Sequence, residues 1–309
     1  MILQARHRRR NVRAIGWKGC SFAVNYSFMP ELPEVETIAR GLRKRVAGDI
    51  IQSVWLGEKP QSFKSQPEEI VRVLEHARIS TVRRLGKHIV FDLEYPARGN
   101  RRTVRRGQWI VHLGMTGRLQ VTSPDAEIAR HTHAIVKLAS GREVRFVDPR
   151  RFGRLSVVSH RSMAAGGFTA PGDEPLGSHV DRFMELFRGR KTPIKSALLN
   201  QKLLSGVGNI YADESLFRAG IRPRRRAVSL TRDQLRKLHH AVQEVLREAV
   251  ALGGSSISDY VDADGEEGFF QLQHRVYGRE GEPCLVCRTP IKRVVIAGRS
   301  SHYCPHCQN

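Results

Sequence analysis

Hydrophobic residues follow two different periods along this chain of 309 residues. Between residues 51 and 158 they occur in short runs rich in β-branched side chains, and Gly, Pro and Asp separate the runs. Runs of this kind predict short strands, and their number here predicts a sandwich or a barrel. The predicted strands cover residues 51–56, 79–82, 88–93, 109–113, 119–121, 134–138, 143–147 and 155–158.

Apolar residues three or four positions apart, the spacing of an amphipathic helix, occur on both sides of the predicted strands. Before the strands, one such stripe consists of Val35, Ile38, Ala39, Leu42 and Val46. After the strands, predicted helices cover residues 180–187, 194–199, 209–219 and 231–252. Thr231 and Gln234 fit a capping box at the start of the last and longest helix, and Gly253 fits its end.

The chain is strongly basic, with 52 Lys and Arg residues against 30 Asp and Glu residues and a formal net charge of +22. Such an excess favours a polyanionic partner, because binding to phosphates releases condensed counterions. A basic stretch at residues 98–107 is typical of a surface loop between two strands. No apolar run of about eighteen residues occurs, so no membrane span is predicted.

Residues 1–28 differ from the rest of the chain, with six Lys or Arg residues and no acid. They lack the long apolar stretch and small-residue cleavage site of a secretory signal. An Arg-rich leader without acids is compatible with an organelle transit peptide or a basic nucleic-acid arm. We expect instead that translation begins at Met29 and that residues 1–29 are a misassigned or removed leader, which predicts a cytoplasmic protein.

Four of the five cysteines lie near the C-terminus, in two C-x2-C pairs. The pairs are Cys284 with Cys287, and Cys304 with Cys307. Four thiolates suit one tetrahedral zinc ion, and four protein ligands leave no open position for a water molecule. We therefore predict one structural zinc ion, in a finger that folds with its metal. Disulfides are not expected in a reducing cytosolic compartment.

Six short motifs lie in order between Met29 and the C-terminal region. They are MPELPEVETIARGL at 29–42, LGK at 85–87, HLGMTGRL at 112–119, DPRRFG at 148–153, GVGNIYADESLF at 206–217 and VYGREGEPC-x2-C at 276–287. Together they resemble the formamidopyrimidine-DNA glycosylase family over about nine-tenths of the chain. The resemblance implies an enzyme that excises oxidised purines from duplex DNA and then cuts the strand.

The resemblance also implies an α+β fold in three parts. These are an N-terminal two-sheet β-sandwich, a helix–two-turn–helix domain and a C-terminal β-hairpin zinc finger. We expect the catalytic sandwich at residues 30–160, a linker at 161–179, the helix–two-turn–helix domain at 180–270 and the finger at 271–309. Double-stranded DNA with oxidised bases would lie in the cleft between the two main domains of a monomer.

The family's nucleophile is an N-terminal proline amine, here Pro30 once Met29 is removed. A terminal amine has a pKa of about 8 in model peptides, so a useful fraction is neutral near pH 7. Its adduct with C1′ of the sugar is a cationic iminium, an electron sink that acidifies the C2′ proton and permits β and δ elimination. By resemblance, Glu31 is the general acid and base, Lys87 supports catalysis and grips a phosphate, and Arg299 assists the δ step.

Further residues match family positions that contact DNA. Contacts with the DNA backbone are implied for His112, His131, Lys191 and Asn209. Asn209 also follows a glycine at a predicted helix start, where backbone N–H groups suit a phosphate. The hole left by the everted base is filled in this family by three residues, matched here by Met115, Arg150 and Phe152.

Glu34 and Glu214 match family positions near the site, with weaker implied roles. Glu31 and Glu34 also suit the first turn of a helix, where acids complement the helix dipole. Both functions are compatible, because a carboxylate at a helix start can also transfer protons.

Two other functions stay open. Endonuclease VIII shares the implied fold and chemistry but acts on oxidised pyrimidines, whereas Leu32 and the Met115, Arg150 and Phe152 set favour the purine branch. A non-catalytic zinc-bearing DNA-binding protein would explain the charge and the cysteines but not the Pro30–Glu31 start. Only a lyase can be trapped on DNA by borohydride, which separates these classes.

Overall fold

The computed structural model describes residues 29–95, 104–255 and 268–309. The expected leader, most of the basic stretch at 98–107 and most of the loop at 254–270 lie outside the described residues. Within the described ranges, no helix combines the length and the apolarity needed to cross a bilayer.

The first helix, α1 (Leu32–Val46), begins three residues before Val35, the first residue of the predicted stripe. Glu31 caps it in a capping box, in which its side chain accepts the backbone N–H of Glu34 and the Glu34 side chain accepts the backbone N–H of Glu31. The predicted apolar stripe is buried against the strands that follow. The same capping contact that starts the helix therefore also fixes the two acids expected near the site.

The strands form two four-stranded antiparallel sheets, which confirms the predicted sandwich. Their bounds are β1 (Ile51–Leu56), β2 (Arg78–Leu85), β3 (His88–Tyr95), β4 (Arg105–His112), β5 (Arg118–Thr122), β6 (Thr132–Leu138), β7 (Glu143–Val147) and β8 (Arg154–Val158). One sheet has the order β1-β6-β7-β5 and the other β2-β3-β4-β8. Their shared core includes the stacked rings of Phe91 and Trp109, whose centroids are 4.4 Å apart.

The expected loop at residues 98–107 is shorter than predicted, because β4 begins at Arg105. Arg105 pairs with Tyr95 and Arg106 pairs with Glu94 in a long β3–β4 hairpin. Cross-strand partners offset the low strand propensity of this charged run. The Arg105 guanidinium lies 5.5 Å from the centre of the Tyr95 ring, and Arg106 lies 3.6 Å from the Glu94 carboxylate.

The second half of the chain is helical. Two helices not predicted from periodicity, α2 (Pro67–Leu74) and the short α3 (His160–Met163), pack on the sandwich. The helices beyond the expected linker are α4 (Val180–Phe187), α5 (Ile194–Leu198), α6 (Asn209–Arg218) and α7 (Arg232–Ala251). Successive turns join α5 to α6. Thr231 and Gln234 form the predicted capping box of α7, and Gly253 follows it with a φ of 77°.

The C-terminal residues form the predicted hairpin of β9 (Lys292–Ile296) and β10 (Arg299–Tyr303). Arg299 is the first residue of β10 and lies beside the turn. Only a small apolar cluster underlies this part, namely Phe217, Val276, Cys284, Ile291 and Cys304.

Candidate active site

One cleft of about 780 Å³ lies where the sandwich, the α5–α6 region and the hairpin meet. Six of the residues expected from the sequence line it: Glu31, Lys87, His112, Met115, Asn209 and Arg299. They come from segments more than 200 residues apart in the chain, so the fold alone brings them together. Pro30 is buried and directly precedes Glu31.

Glu31 occupies the N-terminal end of α6. Its carboxylate accepts the backbone N–H of Ile210 at 3.4 Å, where the positive end of the helix dipole favours a negative charge. A Cβ at position 208 would lie 2.1 Å from the Glu31 carboxyl carbon, so only glycine at this position leaves room for the Glu31 side chain. The Ile210 N–H of this helix start is therefore bound by Glu31 and is not available to a phosphate.

The Glu31 carboxyl is 4% exposed. Burial raises its pKa from 4.5 to about 7, although the nearby Lys87 ammonium opposes this and Glu34 adds to it. A carboxyl with a pKa of about 7 is partly protonated at neutral pH, so it can both give and accept a proton there. This property suits the general acid and base expected at this position.

Glu34 is completely buried. It accepts the Glu31 backbone N–H at 2.8 Å, the Ser255 backbone N–H at 2.8 Å and the Tyr211 hydroxyl. Burial raises the pKa values of both Glu34 and Tyr211. Glu34 therefore holds the N-terminal segment in place and does not line the cleft.

Lys87 lies in the turn between β2 and β3, beside Gly86. Gly86 has a φ of 58°, and a Cβ there would lie 2.1 Å from the Ser205 hydroxyl oxygen. The turn therefore approaches the helical half closely, which requires glycine. Burial lowers the pKa of Lys87, while the charges of Glu31 and Glu34 raise it.

Arg84, which no sequence motif pointed to, fixes this turn. Its guanidinium is 6% exposed and donates to Glu36 at 2.9 Å, to the Gly86 carbonyl at 3.1 Å and to both Glu174 oxygens at 2.9 Å. Arg84 thus joins α1, the Lys87 turn and the segment leading to the helical half. No local sequence pattern pairs residues 84 and 174, which are far apart in the chain.

His112 ends β4 at the cleft, with its ring 4.9 Å from that of His88. Burial, followed by the charge of His88, lowers the pKa of His112 to about 4. The ring is therefore neutral at pH 7. Its Nδ1 accepts the Gly114 N–H at 3.1 Å, so the neutral ring carries its proton on Nε2 and can donate from there.

Arg150 and Phe152 lie on a loop at the rim of the sandwich, outside the cleft lining. Phe152 is 45% exposed and is not a core residue, and the Arg150 guanidinium lies 4.9 Å from the centre of its ring. The buried Asp148 carboxylate accepts the Thr116 hydroxyl, the Arg150 N–H and the Gly153 N–H. Asp148, which sequence analysis did not single out, therefore joins this loop to the turn that carries Met115.

His131 and Lys191 lie outside the cleft lining. His131 precedes β6 in a left-handed conformation with a φ of 72°, and its carbonyl accepts the Asp148 N–H at 3.0 Å. Lys191 is exposed just before α5.

Glu214 is also outside the cleft lining. Its fully buried carboxylate accepts the backbone N–H groups of Arg275, Val276 and Tyr277 at 2.8 to 3.0 Å. This contact fixes the segment that precedes the hairpin to α6. The weaker role near the site expected for Glu214 is thus structural.

The four C-terminal cysteines form a cluster whose sulfur atoms all lie within 4.8 Å of one another. The Cys287 and Cys304 sulfurs are 3.4 Å apart, and the Cys284 and Cys307 sulfurs are 3.9 Å apart. Zinc–sulfur bonds of about 2.3 Å in a tetrahedron place sulfurs about 3.8 Å apart, so the cluster fits one zinc ion. The zinc is structural, because all four positions are protein thiolates.

Comparisons with known proteins agree with this geometry. Family models match three successive regions: the formamidopyrimidine-DNA glycosylase N-terminal domain at residues 29–155, the H2TH domain of the same enzymes at 172–261, and a zinc finger found in FPG and IleRS at 281–309. The formamidopyrimidine-DNA glycosylase of Solibacter usitatus is 43% identical over 280 residues, which are 91% of this chain and 99% of that protein.

Two solved structures have the same fold. The crystal structure of MutM (FPG) from Thermus thermophilus is 42% identical, covers 90% of this chain and 98% of its own, and superposes with a TM-score of 0.75. A mutant Lactococcus lactis FPG in complex with a Fapy-dG containing DNA is 33% identical, covers 91% and 100%, and has a TM-score of 0.80.

A β-sandwich, a helical domain and a four-cysteine finger around one cleft define a DNA glycosylase with a structural zinc site. The chain belongs to the formamidopyrimidine-DNA glycosylase family.

Proposed function

We propose that this protein is a bifunctional DNA glycosylase and lyase that excises 8-oxoguanine and formamidopyrimidines from duplex DNA. The observation that carries the proposal is the position of Glu31. A carboxyl with a pKa of about 7 follows Pro30 directly and shares one cleft with Lys87 and Arg299. The cleft thus combines a proton donor and acceptor with cationic groups for phosphates.

The chemistry begins at the Pro30 nitrogen, which must be a free, neutral secondary amine. It attacks C1′ of the sugar, a C1′–N bond forms, and the bond to the damaged base breaks. The proton that the attacking amine loses neutralises the departing base. Opening of the sugar ring needs a proton on its oxygen, which the protonated Glu31 carboxyl supplies. The product is an iminium cation. The Glu31 carboxylate, which has just given up its proton, then accepts the C2′ proton, and the electron pair of that C–H bond expels the 3′ phosphate by β elimination.

A second elimination releases the 5′ phosphate and removes the sugar, and in this proposal Arg299 assists the δ step. Lys87 binds a phosphate near the reacting sugar. The zinc finger supplies no step of the chemistry, since its four cysteines leave no open position on the metal. Its contribution is to hold the hairpin that carries Arg299.

The DNA backbone would follow the cleft. Neutral His112 donates from Nε2, and Asn209 lies across the cleft from it. His131 and Lys191 serve as outlying backbone contacts. Met115, Arg150 and Phe152 fill the hole left by the everted base, which suits the exposure of Phe152 and the Asp148 link between their loops.

Borohydride trapping on an 8-oxoguanine duplex tests the covalent step. A chain that begins at Met29 and loses that methionine exposes the Pro30 amine, and we expect it to form a covalent adduct. The matched control is the chain of 309 residues with an intact leader, in which the Pro30 nitrogen is a tertiary amide. That form should bind DNA, but borohydride should not trap it as a covalent adduct. An adduct on protein that still carries residues 1–29 would identify a different nucleophile.

The substrate is tested separately, by comparing single-turnover rates on duplexes that each contain one lesion. We expect 8-oxoguanine opposite cytosine and formamidopyrimidines to react faster than thymine glycol. A preference for thymine glycol would assign the protein to the oxidised-pyrimidine branch while leaving the Pro30 chemistry intact.

A further inference from the structure

Two opposite charges are completely buried behind the hairpin wall of the cleft. Lys195 on α5 and Asp213 on α6 are each 0% exposed, and the Lys195 Nζ lies 2.7 Å from the Asp213 Oδ1. Burying such a pair costs several kcal/mol per ion, which the mutual attraction offsets only when further hydrogen bonds are made. The other contacts of the pair therefore indicate what it does.

Both charged groups also hold the backbone of β10. The Lys195 ammonium donates to the Ser300 carbonyl at 2.6 Å, and the Asp213 Oδ2 accepts the His302 backbone N–H at 2.8 Å. Asn209 adds a third link from α6, because its Nδ2 donates to the Ser300 hydroxyl at 3.3 Å. The residues on either side of Ser301 are thus tied to the two helices by charged partners.

Arg299 is the residue directly before this anchored stretch. It is exposed and lines the cleft, so its own side chain is not fixed by packing. The direction in which it leaves the hairpin depends on the Ser300 backbone, which Lys195 holds. The charges of Glu31 and Arg299 both act on Lys195, so the buried pair lies close to the reacting groups.

We infer that the Lys195–Asp213 pair is a positioning unit that holds Arg299 toward the scissile phosphate for δ elimination. This inference rests on the proposed function, because it assumes the δ step at Arg299. Neither residue touches DNA, and both act through the backbone of β10. Small displacements matter here, since a shift of about 1 Å in a reacting group can lower a rate by roughly a hundredfold.

The test removes both charges together, because a single change would leave an unpaired buried charge and destabilise the fold. In the variant Lys195→Met with Asp213→Asn, the asparagine oxygen can still accept the His302 N–H, but the bond to the Ser300 carbonyl is lost. The matched control removes another buried pair, Arg145 with Glu143, whose side chains are 3% and 5% exposed in the sandwich. The control variant is Arg145→Met with Glu143→Gln.

Each protein is assayed with its zinc bound, on an 8-oxoguanine duplex and on an abasic duplex. The ratio of δ to β products should fall at least about tenfold in the first variant and stay unchanged in the control. Zinc content should remain one per chain in both. Hydrogen exchange at the amides of β10 should quicken only in the first variant, which reports on position independently of activity.

A third protein, Arg299→Ala, distinguishes failure of the proposed role of Arg299 from failure of the positioning inference. If this change leaves the product ratio unaltered, the proposed role of Arg299 is wrong. If it lowers the ratio while the Lys195 and Asp213 variant keeps it, the positioning unit is overturned. The positioning inference would also be overturned if the Arg145 and Glu143 control lost zinc or showed faster hydrogen exchange at the β10 amides. Removal of any buried pair would then disturb the hairpin.

Discussion

The sandwich wall and the hairpin wall of the cleft are stabilised in different ways. The sandwich wall rests on one large apolar core in which Phe91 and Trp109 are buried almost completely. The hairpin wall rests on a cluster of five apolar residues, two of which are zinc-site cysteines. Glu31 and Lys87 belong to the first wall and Arg299 to the second.

Because of this difference, the sandwich and the hairpin depend on different interactions for their stability. Burial of apolar surface stabilises the sandwich without help from a ligand. The hairpin buries too little surface for that, so its metal, the Glu214 carboxylate and the Lys195–Asp213 pair hold it. The two walls should therefore lose their structure independently of each other.

The largest effect is expected from Cys287→Ser. Loss of one thiolate should release the zinc and unfold the hairpin, because metal binding contributes on the order of 10–16 kcal/mol in zinc-finger peptides. Metal analysis should find no zinc, and fluorescence anisotropy should show that DNA binding is lost. The sandwich should stay folded, as judged by tryptophan fluorescence, to which the buried Trp109 contributes. Full activity in a metal-free protein would remove the structural role of the metal.

The converse experiment is Phe91→Ala, which leaves a cavity beside Trp109. Such a change costs about 3–5 kcal/mol of the free energy of unfolding. Chemical denaturation should show this loss in the sandwich transition while the zinc content stays at one per chain. Val286→Ala is the control in the finger, because Val286 is 69% exposed and its truncation should change neither quantity. A Phe91 variant that loses zinc would show that the walls are not independent.

Sequence periodicity predicted the sandwich wall well. All eight strands and the capping box of α7 are present, because alternation and capping depend on residues near one another in the chain. The predicted ends of the strands were less accurate than their number and order. β4 includes Arg105 and Arg106, since cross-strand partners at Tyr95 and Glu94 outweigh their low strand propensity.

The long-range side-chain contacts that hold the site residues in place could not be predicted from periodicity. Lys195 contacts Ser300, and Glu34 contacts Tyr211, over more than 100 residues of chain. Motif resemblance located Glu31, but its raised pKa arises from burial that only the folded chain produces. Polar residues inside predicted apolar helices, such as Asp213 in α6, are the one local signal that points to buried pairs.

A third prediction concerns the pH dependence of the sandwich wall. The pKa of Glu31 rises from 4.5 to about 7 on folding, so the folded state binds the proton more tightly than the unfolded state. Stability is therefore lost as pH rises from 4.5 through 7, by about 3 kcal/mol in total. Glu31→Gln cannot lose a proton and should escape this loss. Denaturation at several pH values should show that the stability of the original protein falls relative to that of Glu31→Gln between pH 4.5 and 7, with a constant difference above that range, whereas a difference that does not change with pH would exclude a raised pKa.

The smallest effect is expected at the rim of the sandwich wall, where Phe152→Ala and Arg150→Ala should act on DNA and hardly on the fold. Phe152 is 45% exposed, so its removal should change the free energy of unfolding by no more than about 0.5 kcal/mol. Filling the hole left by an everted base should contribute roughly 1–3 kcal/mol, similar to stacking of a base on an aromatic side chain. An abasic site avoids part of the cost of opening the stack. Both variants should therefore weaken binding and excision on an 8-oxoguanine duplex more than cleavage of an abasic duplex, and equal losses on the two substrates would contradict the hole-filling role.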